Sequence, residues 1–212
     1  MIAPEGWPFA VIPVLAGAVV WVVGWPVGGA LLIVLGVFAL FFFRNPQRIC
    51  TFSPNTACAP ADGKVIKVCP APADMVLRGL PKQVSIFMSV FNVHVNRAAI
   101  DGELIDYSYN RGRKISAFKD KASLENEQNL SVWDGPSGKI ALKQIAGIVA
   151  RRIVFDHRPG DAVLRGDRIG LIRYGSRVDV FLPDDAAILV VEGDRVRAGE
   201  SALAELTGNT ST

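Results

Sequence analysis

The chain begins with a long apolar stretch and continues as short apolar or alternating segments separated by polar turns. Residues 7–43 contain no charged side chain, and only Gly and Pro interrupt them. The segment GWPVGG, residues 24–29, divides the stretch into two halves, residues 9–23 and 30–43. Each half has about 15 residues, or roughly 22 Å as a helix, which is less than the hydrocarbon core of about 30 Å. The pattern therefore predicts a helical hairpin, residues 1–43, that dips into a membrane or barely crosses it.

Two other interpretations of the apolar stretch stay open from the sequence. A single long kinked membrane span has the same pattern, and so does a buried helical hairpin of a soluble protein. A secretory signal peptide needs a basic segment before the apolar stretch, whereas this chain has Glu5 there and neither Lys nor Arg. Arg44 and Arg48 follow the stretch directly, so the positive-inside rule predicts a cell-membrane protein whose residues 44–212 face the cytoplasm.

Residues 44–212 have the pattern of a mainly β domain. Short apolar or alternating segments are punctuated by Gly, Pro and Asp at the spacing typical of an all-β sandwich or barrel. The predicted strands are residues 63–68, 83–90, 94–100, 139–154, 168–174, 177–183 and 186–191. The long polar segment 119–138 is predicted to be a functional loop with one helical turn.

An internal repeat refines this fold prediction. The segment PGDAVLRGDRIGLI (159–172) matches EGDRVRAGESALAEL (192–206) at an offset of 33 residues, and APADGKVIKV (59–68) is a weaker echo. Gly-Asp turns followed by paired short strands resemble the barrel-sandwich hybrid fold of lipoyl and biotinyl domains. The predicted fold class is therefore mainly β, with a barrel-sandwich-hybrid-like catalytic domain, residues 44–212, preceded by an N-terminal apolar helical hairpin.

The net charge of the chain and the spacing of its Cys and His residues restrict the functions that the sequence predicts. The chain has 23 basic and 20 acidic residues, a net charge of +3, which suits an anionic membrane surface and does not predict a nucleic-acid partner. The Cys and His residues show no metal-site spacing, so no metal is predicted. The cysteines are interpreted as small apolar residues in a reducing compartment. These residues are Cys50, Cys58, Cys69, His94 and His157.

Gly175-Ser176 interrupts the strand-like segment IRYGSRVDVF, residues 172–181. A glycine inside a strand usually marks a bulge or a close backbone approach. A serine hydroxyl beside a strained peptide can also attack the preceding carbonyl, and glycine suits the acyl side because it has no Cβ. An N→O shift followed by elimination would cut the chain and leave dehydroalanine, which hydrolyses to an N-terminal pyruvoyl group. The dipeptide alone does not choose between these two roles.

Five segments, taken together, resemble the phosphatidylserine decarboxylase proenzyme family in its short form with an N-terminal membrane hairpin. They are APADGKV (59–65), FMSVFNVHVNRAAIDG (87–102), DKASLENEQN (120–129), QIAGIVARRIV (144–154) and GDRIGLIRYGSRVDVFLP (166–183). The resemblance implies conversion of phosphatidylserine in the membrane to phosphatidylethanolamine, as a step of phospholipid biosynthesis. A pyruvoyl group would form a Schiff base with the substrate amine, and CO₂ would be lost.

The resemblance also implies a self-cleavage between Gly175 and Ser176. The products would be a β chain of residues 1–175 and an α chain of 37 residues, 176–212, that stay associated. Ser176 would be the nucleophile and then the source of the covalent pyruvoyl group. His94 would be its base, and Asp62 would orient His94.

The implied substrate site is less sharply defined. Cationic side chains would hold the headgroup phosphate, and the candidates are Arg97, Lys114, Arg151 and Arg152. Arg97 stands where longer members of the family have a second histidine, so His94 could act in maturation, in turnover or in both. Two alternatives stay open, a decarboxylase of another seryl phospholipid and a non-catalytic membrane-anchored adaptor of the same fold. The sequence also leaves open whether the protein is a homo-oligomer.

Overall fold

The computed structural model describes residues 1–112, 126–147, 152–173 and 175–208. Within them the chain divides into a helical unit, Met1–Gln47, and a mainly β unit, Arg48–Thr212. Two apolar helices form the first unit, and strands dominate the second. The predicted fold class, mainly β after N-terminal apolar helices, is confirmed.

The helical unit is a hairpin of α1 (Trp7–Val22) and α2 (Pro26–Phe42), with a short 3₁₀ turn at Pro4–Gly6 before α1. Glycines bring the two helix backbones together. A Cβ atom on Gly17 would lie 2.7 Å from the carbonyl oxygen of Gly29, and one on Gly29 would lie 2.6 Å from that of Gly17. Small residues at a helix crossing permit this close approach, so the packing depends on them.

The first helical segment is longer than the sequence pattern predicts. With its 3₁₀ turn it runs over Pro4–Val22, 19 residues, and is long and apolar enough to cross a membrane, whereas Pro26–Phe42 is apolar but shorter. The predicted half begins only at Phe9. Pro4 and Pro8 do not delay the start, because proline is tolerated in the first turn of a helix.

The β unit contains fourteen strands and one short helix among its described residues. They are β1 (Thr56–Cys58), β2 (Gly63–Pro70), α3 (Ala73–Val76), β3 (Lys82–Met88), β4 (Val95–Arg97), β5 (Gly102–Asn110), β6 (Gln128–Gly135), β7 (Gly138–Ala146), β8 (Ile153–Phe155), β9 (Ala162–Val163), β10 (Arg168–Ile172), β11 (Ser176–Leu182), β12 (Ala187–Ile188), β13 (Arg195–Val196) and β14 (Ala202–Glu205).

The prediction of a loop over residues 119–138 is wrong for the part that forms β6, and residues 119–125 lie outside the described residues. Strand β5 was not predicted at all. The cause is the same in both cases, because polar side chains interrupt the apolar alternation. In β6 the polar Asn129 and Ser131 are themselves buried, so burial there does not follow hydrophobicity.

An eight-stranded antiparallel sheet organises the β unit, in the order β13-β2-β3-β11-β7-β6-β5-β9. Two three-stranded sheets, β1-β14-β12 and β4-β10-β8, accompany it, and none of the three closes into a barrel. Strand β11, which begins at Ser176, lies inside the large sheet between β3 and β7. Its apolar side chains Val178 and Val180 are buried in the main core.

The internal repeat corresponds to two equivalent turns at opposite edges of the large sheet. The Arg158 N–H donates to Asp161 Oδ2 at 2.7 Å, and the Val191 N–H donates to Asp194 Oδ2 at 2.9 Å. The strands that follow these turns, β9 and β13, pair with the first residues of β5 and β2, respectively. The repeat therefore builds the two ends of one sheet in the same way.

The prediction that the cysteines are unpaired is wrong for two of them. Cys50 and Cys58 form a disulfide, whereas Cys69 is free and burial raises the pKa of its thiol. The Thr56 N–H donates to the Ser53 carbonyl at 2.9 Å, which turns the connector back on itself. This turn brings together two cysteines that the sequence spacing did not mark as partners.

The hairpin should hold the protein in membranes through a high-salt wash, because burial of two apolar helices outweighs screened surface charge. Removing residues 1–47 should abolish this retention and leave the β unit folded, since Arg48–Thr212 has its own buried core. Membrane fractionation and far-UV circular dichroism of both forms test this prediction. Release of the full-length protein by salt alone would contradict it.

Candidate active site

Ser176 is the first residue of β11 and is completely buried. Its Cα is paired with Met88 of β3 on one side and with Ala146 of β7 on the other. The Ser176 hydroxyl donates to Met88 Sδ at 3.3 Å. The predicted nucleophile is therefore held by strands on both sides and shielded from solvent.

The peptide bond before Ser176 has an unusual backbone conformation. Gly175 has φ +61°, in the left-handed region that favours glycine. Its carbonyl oxygen accepts a hydrogen bond from the Gly147 N–H at 3.0 Å. A backbone donor at this position would stabilise negative charge on that oxygen if the carbonyl carbon were attacked. The junction thus combines a hydroxyl, a glycyl acyl group and an oxyanion donor.

His94 lies just before β4 and is completely buried. The Ile172 N–H of β10 donates to its carbonyl at 3.2 Å, which fixes the His94 backbone near the end of the segment that leads to Ser176. His94 Nδ1 lies 3.0 Å from the Asn92 carbonyl oxygen. Because a carbonyl can only accept, this hydrogen bond requires a proton on Nδ1, and in the neutral ring the lone pair is then on Nε2.

The carboxylate of Asp62 forms a bidentate ion pair with Arg48, at 2.5 Å and 2.8 Å. Asp62 Oδ1 also accepts from the Ala198 N–H at 2.9 Å, and Arg48 donates to the Ala198 carbonyl at 2.9 Å. The structure therefore joins Asp62 to Arg48 and to a peptide of the predicted α chain. Its predicted role in orienting His94 stays a prediction.

The internal repeat provides a second copy of part of the Asp62 arrangement. Asp101 precedes β5 as Asp62 precedes β2, and Asp101 Oδ1 accepts from the Arg165 N–H at 2.7 Å. Arg165 occupies the position in its repeat that Ala198 occupies in the other. The aspartate-to-backbone bond is therefore part of the fold, whereas the ion pair with Arg48 occurs at Asp62.

The cationic residues predicted to bind phosphate lie in different environments. Arg97 is buried, and its guanidinium donates to the Gly166 carbonyl at 2.8 Å. Burial lowers the pKa of Arg97, nearby Arg48 lowers it further, and Asp62 opposes both. Arg152 is exposed. Lys114 and Arg151 lie outside the described residues.

Two buried amides near Ser176 were not predicted from the sequence. Asn96 Nδ2 donates to Met88 Sδ at 3.6 Å, and Gln144 Nε2 donates to Asn96 Oδ1 at 2.6 Å. Met88 thus accepts from both Ser176 and Asn96. Strand alternation is the sequence signal that could have identified Gln144. It lies two residues after the buried Leu142 of β7 and therefore on the same face of the strand.

A cleft of about 760 Å³ opens where β2 begins and β3 ends. Its wall includes Ser89, which follows Met88, and Asn92, whose carbonyl contacts His94. Other lining residues are Asp62, Lys64, Phe91, Arg195 and Arg197. Among the described residues, no group of three or more His, Cys, Asp or Glu side chains is arranged to hold a metal ion. Three of the lining side chains, Lys64, Arg195 and Arg197, are cationic, so the cleft suits an anionic ligand.

The chain is similar to known proteins over nearly its whole length. The family model described as phosphatidylserine decarboxylase matches residues 35–204. A phosphatidylserine decarboxylase proenzyme of Syntrophotalea carbinolica is 45% identical over 203 residues, 95% of each chain. Proteins of the same name from Geotalea daltonii and Magnetococcus marinus are 42% and 41% identical, over 97% and 100% of this chain and 97% and 98% of theirs. The chain belongs to the phosphatidylserine decarboxylase family.

Proposed function

We propose that this protein is a self-cleaving phosphatidylserine decarboxylase that forms phosphatidylethanolamine in phospholipid biosynthesis. The observation that carries the proposal is the Gly175-Ser176 junction, where a buried hydroxyl adjoins a left-handed glycyl peptide whose carbonyl accepts a backbone hydrogen bond. The names of the relatives, which describe proenzymes, support processing of the chain.

In the proposed maturation, Ser176 Oγ attacks the Gly175 carbonyl carbon while the Gly147 N–H stabilises the developing oxyanion. Nε2 of His94 takes the hydroxyl proton and passes it to the peptide nitrogen, which leaves as the amine of Ser176, so that an ester replaces the amide. Loss of the Ser176 α-proton then breaks the Cβ–Oγ bond and releases Gly175 as a carboxylate. Hydrolysis of the remaining enamine, with loss of ammonia, gives a pyruvoyl group.

The residues around position 176 fit such a group. When present, it supplies a ketone carbonyl that can accept the substrate amine and the electrons released with CO₂. In the uncut chain, the two neighbouring strands keep water from position 176. Arg177 and Asp179, both buried, form a bidentate pair at 2.6 Å and 2.8 Å, which would hold the new N-terminus of the α chain in place.

The topology supports an α chain that stays bound after cleavage. Three of its strands pair with strands of the β chain. Strand β11 pairs with β3 and β7, β13 pairs with β2, and β14 pairs with β1. The Arg48–Asp62 pair also holds the Ala198 peptide. Cutting one peptide bond leaves all of these contacts in place.

The membrane part of the proposal rests on the apolar helices. One of them, Pro4–Val22, is long enough to span a bilayer, and we propose that the β unit faces the cytoplasm at the cell membrane. There it would meet phosphatidylserine of the same leaflet. Phosphate binding by Arg97, Lys114, Arg151 or Arg152 stays a prediction.

Replacing Ser176 with alanine should leave one uncut chain without decarboxylase activity, because the nucleophile and the source of the pyruvoyl group are both lost. The wild-type protein should give chains of residues 1–175 and 176–212, and the small chain should resist Edman degradation. Gel electrophoresis, mass spectrometry and CO₂ release measure these outcomes.

Ser108→Ala, at an exposed serine of β5, is the control and should cut normally. A wild-type protein that stays uncut yet releases CO₂ would contradict the mechanism, and one that neither cuts nor releases CO₂ would favour the adaptor alternative.

Replacing His94 with glutamine should accumulate uncut chain, because Ser176 then loses its base. If His94→Gln cuts normally but does not decarboxylate, His94 serves turnover only. Normal cleavage together with normal turnover would exclude His94 from both steps.

Arg48→Met and Asp62→Asn test the role of Asp62. Each breaks a buried ion pair and should lower the free energy of unfolding by about 3–5 kcal/mol. If Asp62 orients His94 as predicted, Asp62→Asn should cut far more slowly than Arg48→Met per folded molecule, because only Asp62→Asn removes the carboxylate. Cleavage measured at low temperature and scaled to the folded fraction checks this. Similar rates for the two variants would show that Asp62 does not act on His94 and that the Asn92 carbonyl fixes its tautomer.

The proposed orientation predicts that a cysteine introduced at the exposed Ser108 is protected from a membrane-impermeant maleimide in intact cells and labelled after lysis. This test matters because a disulfide such as Cys50–Cys58 is uncommon in the cytoplasm. A Cys50→Ser/Cys58→Ser/Cys69→Ser background keeps the labelling specific to the introduced thiol, because Cys69 is a free thiol in the described part of the chain. Labelling of intact cells would place the β unit on the other side of the membrane.

A further inference from the structure

The cleft beside Asp62 carries an unfavourable pair of like charges. Lys64 of β2 and Arg195 of β13 stand directly opposite each other in the sheet. Like charges at such a position destabilise strand pairing. Both side chains are exposed, and within the described ranges neither forms an ion pair with a carboxylate. The fold thus keeps two cations side by side at the wall of a cleft.

The acidic groups near the cleft are already engaged. Both oxygens of Asp62 are bonded to Arg48, and one of them also accepts from the Ala198 N–H. Arg197, a third cation of the cleft, lies 3.8 Å from Glu200, and Glu200 also lies 3.8 Å from Arg48. The wall formed by Lys64, Arg195 and Arg197 is therefore positively charged.

The internal repeat shows that the backbone does not require these cations. In the other copy, Glu103 of β5 is paired with Ala162 of β9 in the same register. Leu164 stands there at the position of Arg197. The same turn and strand pairing thus form with one acidic and two apolar residues. Strand pairing therefore does not explain why three cations line the cleft.

The cleft lies beside the proposed catalytic residues. Lys64 is on the outer face of the sheet, because the next residue, Val65, points into the core. Ser176 is on the opposite, core-facing side, where its hydroxyl contacts Met88. The two faces meet at the end of β3, where Ser89 of the cleft wall follows Met88. Strands β2 and β11 are separated by only two strand spacings, about 10 Å. A ligand held by Lys64 could therefore extend around this end toward position 176.

We propose that Lys64 and Arg195, supported by Arg197, bind the phosphodiester of the phospholipid substrate. This inference rests on the proposed function and identifies phosphate-binding residues other than those predicted from the sequence. Arginine offers a planar fork for phosphate oxygens and lysine a compact charge. Phe91, which is 67% exposed at the same cleft, presents an apolar surface to the glyceryl side of the headgroup. That apolar surface favours a lipid over free phosphate.

The test uses the full-length, matured protein in detergent and a short-chain phosphatidylserine below its micelle concentration, which removes general attraction to a charged surface. Lys64→Gln/Arg195→Gln should raise KM by roughly 10- to 100-fold with kcat nearly unchanged, because charge-assisted phosphate contacts are lost. Cleavage into two chains should be normal. Lys64→Arg/Arg195→Lys, which keeps both charges, should recover most of the affinity.

Lys139→Gln/Arg158→Gln is the matched control, since it removes the same charge outside the cleft and should leave KM within about twofold. A KM that is unchanged in the cleft variant, or that rises equally in the control, overturns the proposal. A fall in kcat alone overturns it too, because binding would then not depend on these cations.

Calorimetric titration of the same lipid separates this inference from the proposed function. If the wild-type protein binds the lipid but releases no CO₂, the proposed function fails, and weaker binding by Lys64→Gln/Arg195→Gln still supports the phosphate site. Equal binding by the wild type and this variant overturns the site whatever the activity. Inorganic phosphate should compete only weakly. If it competes as well as the lipid, the cleft is a free-phosphate site and the lipid assignment is wrong.

Discussion

The hydrogen-bonded position of β11 between β3 and β7 is the constraint on which the proposed chemistry depends. The proposed scissile bond lies just before the first residue of an interior strand, so Ser176 is held by two ladders while Gly175 lies outside the strand. A cut at the middle of this strand would leave unpaired backbone groups inside the sheet, which is unfavourable. A cut at its first residue leaves the ladders intact and keeps position 176 where its neighbours hold it.

The two-fold repeat separates residues that serve the fold from residues that serve the site. Asp62 and Asp101 accept equivalent backbone hydrogen bonds, and equivalent Asp turns precede β9 and β13. What occurs in both copies is explained by strand pairing alone. What occurs in one copy, such as the Arg48 ion pair and the Lys64–Arg195 pair, needs another explanation. Both of these one-copy features involve residues that line the cleft, Asp62 in the first and Lys64 and Arg195 in the second.

The sequence predicts the hairpin, the mainly β class and most strands, because apolar alternation and Gly-Asp turns are local signals. It misses β6 because Asn129 and Ser131 are buried polar residues, and it misses the disulfide because contact between Cys50 and Cys58 depends on a turn in the connector. The sequence shows the Gly175-Ser176 dipeptide, but it does not show which backbone N–H donates to the Gly175 carbonyl. Gly147 is distant in sequence and reaches the carbonyl only through the pairing of β7 with β11.

The burial of Ser176 imposes an order on the proposed reaction. In the uncut chain its hydroxyl is fully buried and bonded to Met88, so a lipid headgroup has no access to the atom it must meet. Intramolecular attack on the adjacent carbonyl needs no such access, because the reacting atoms belong to neighbouring residues. Cleavage then removes the covalent link that fixes Gly175 beside Ser176. Burial therefore favours self-cleavage first and substrate binding afterwards, and one buried histidine can serve the two steps in turn.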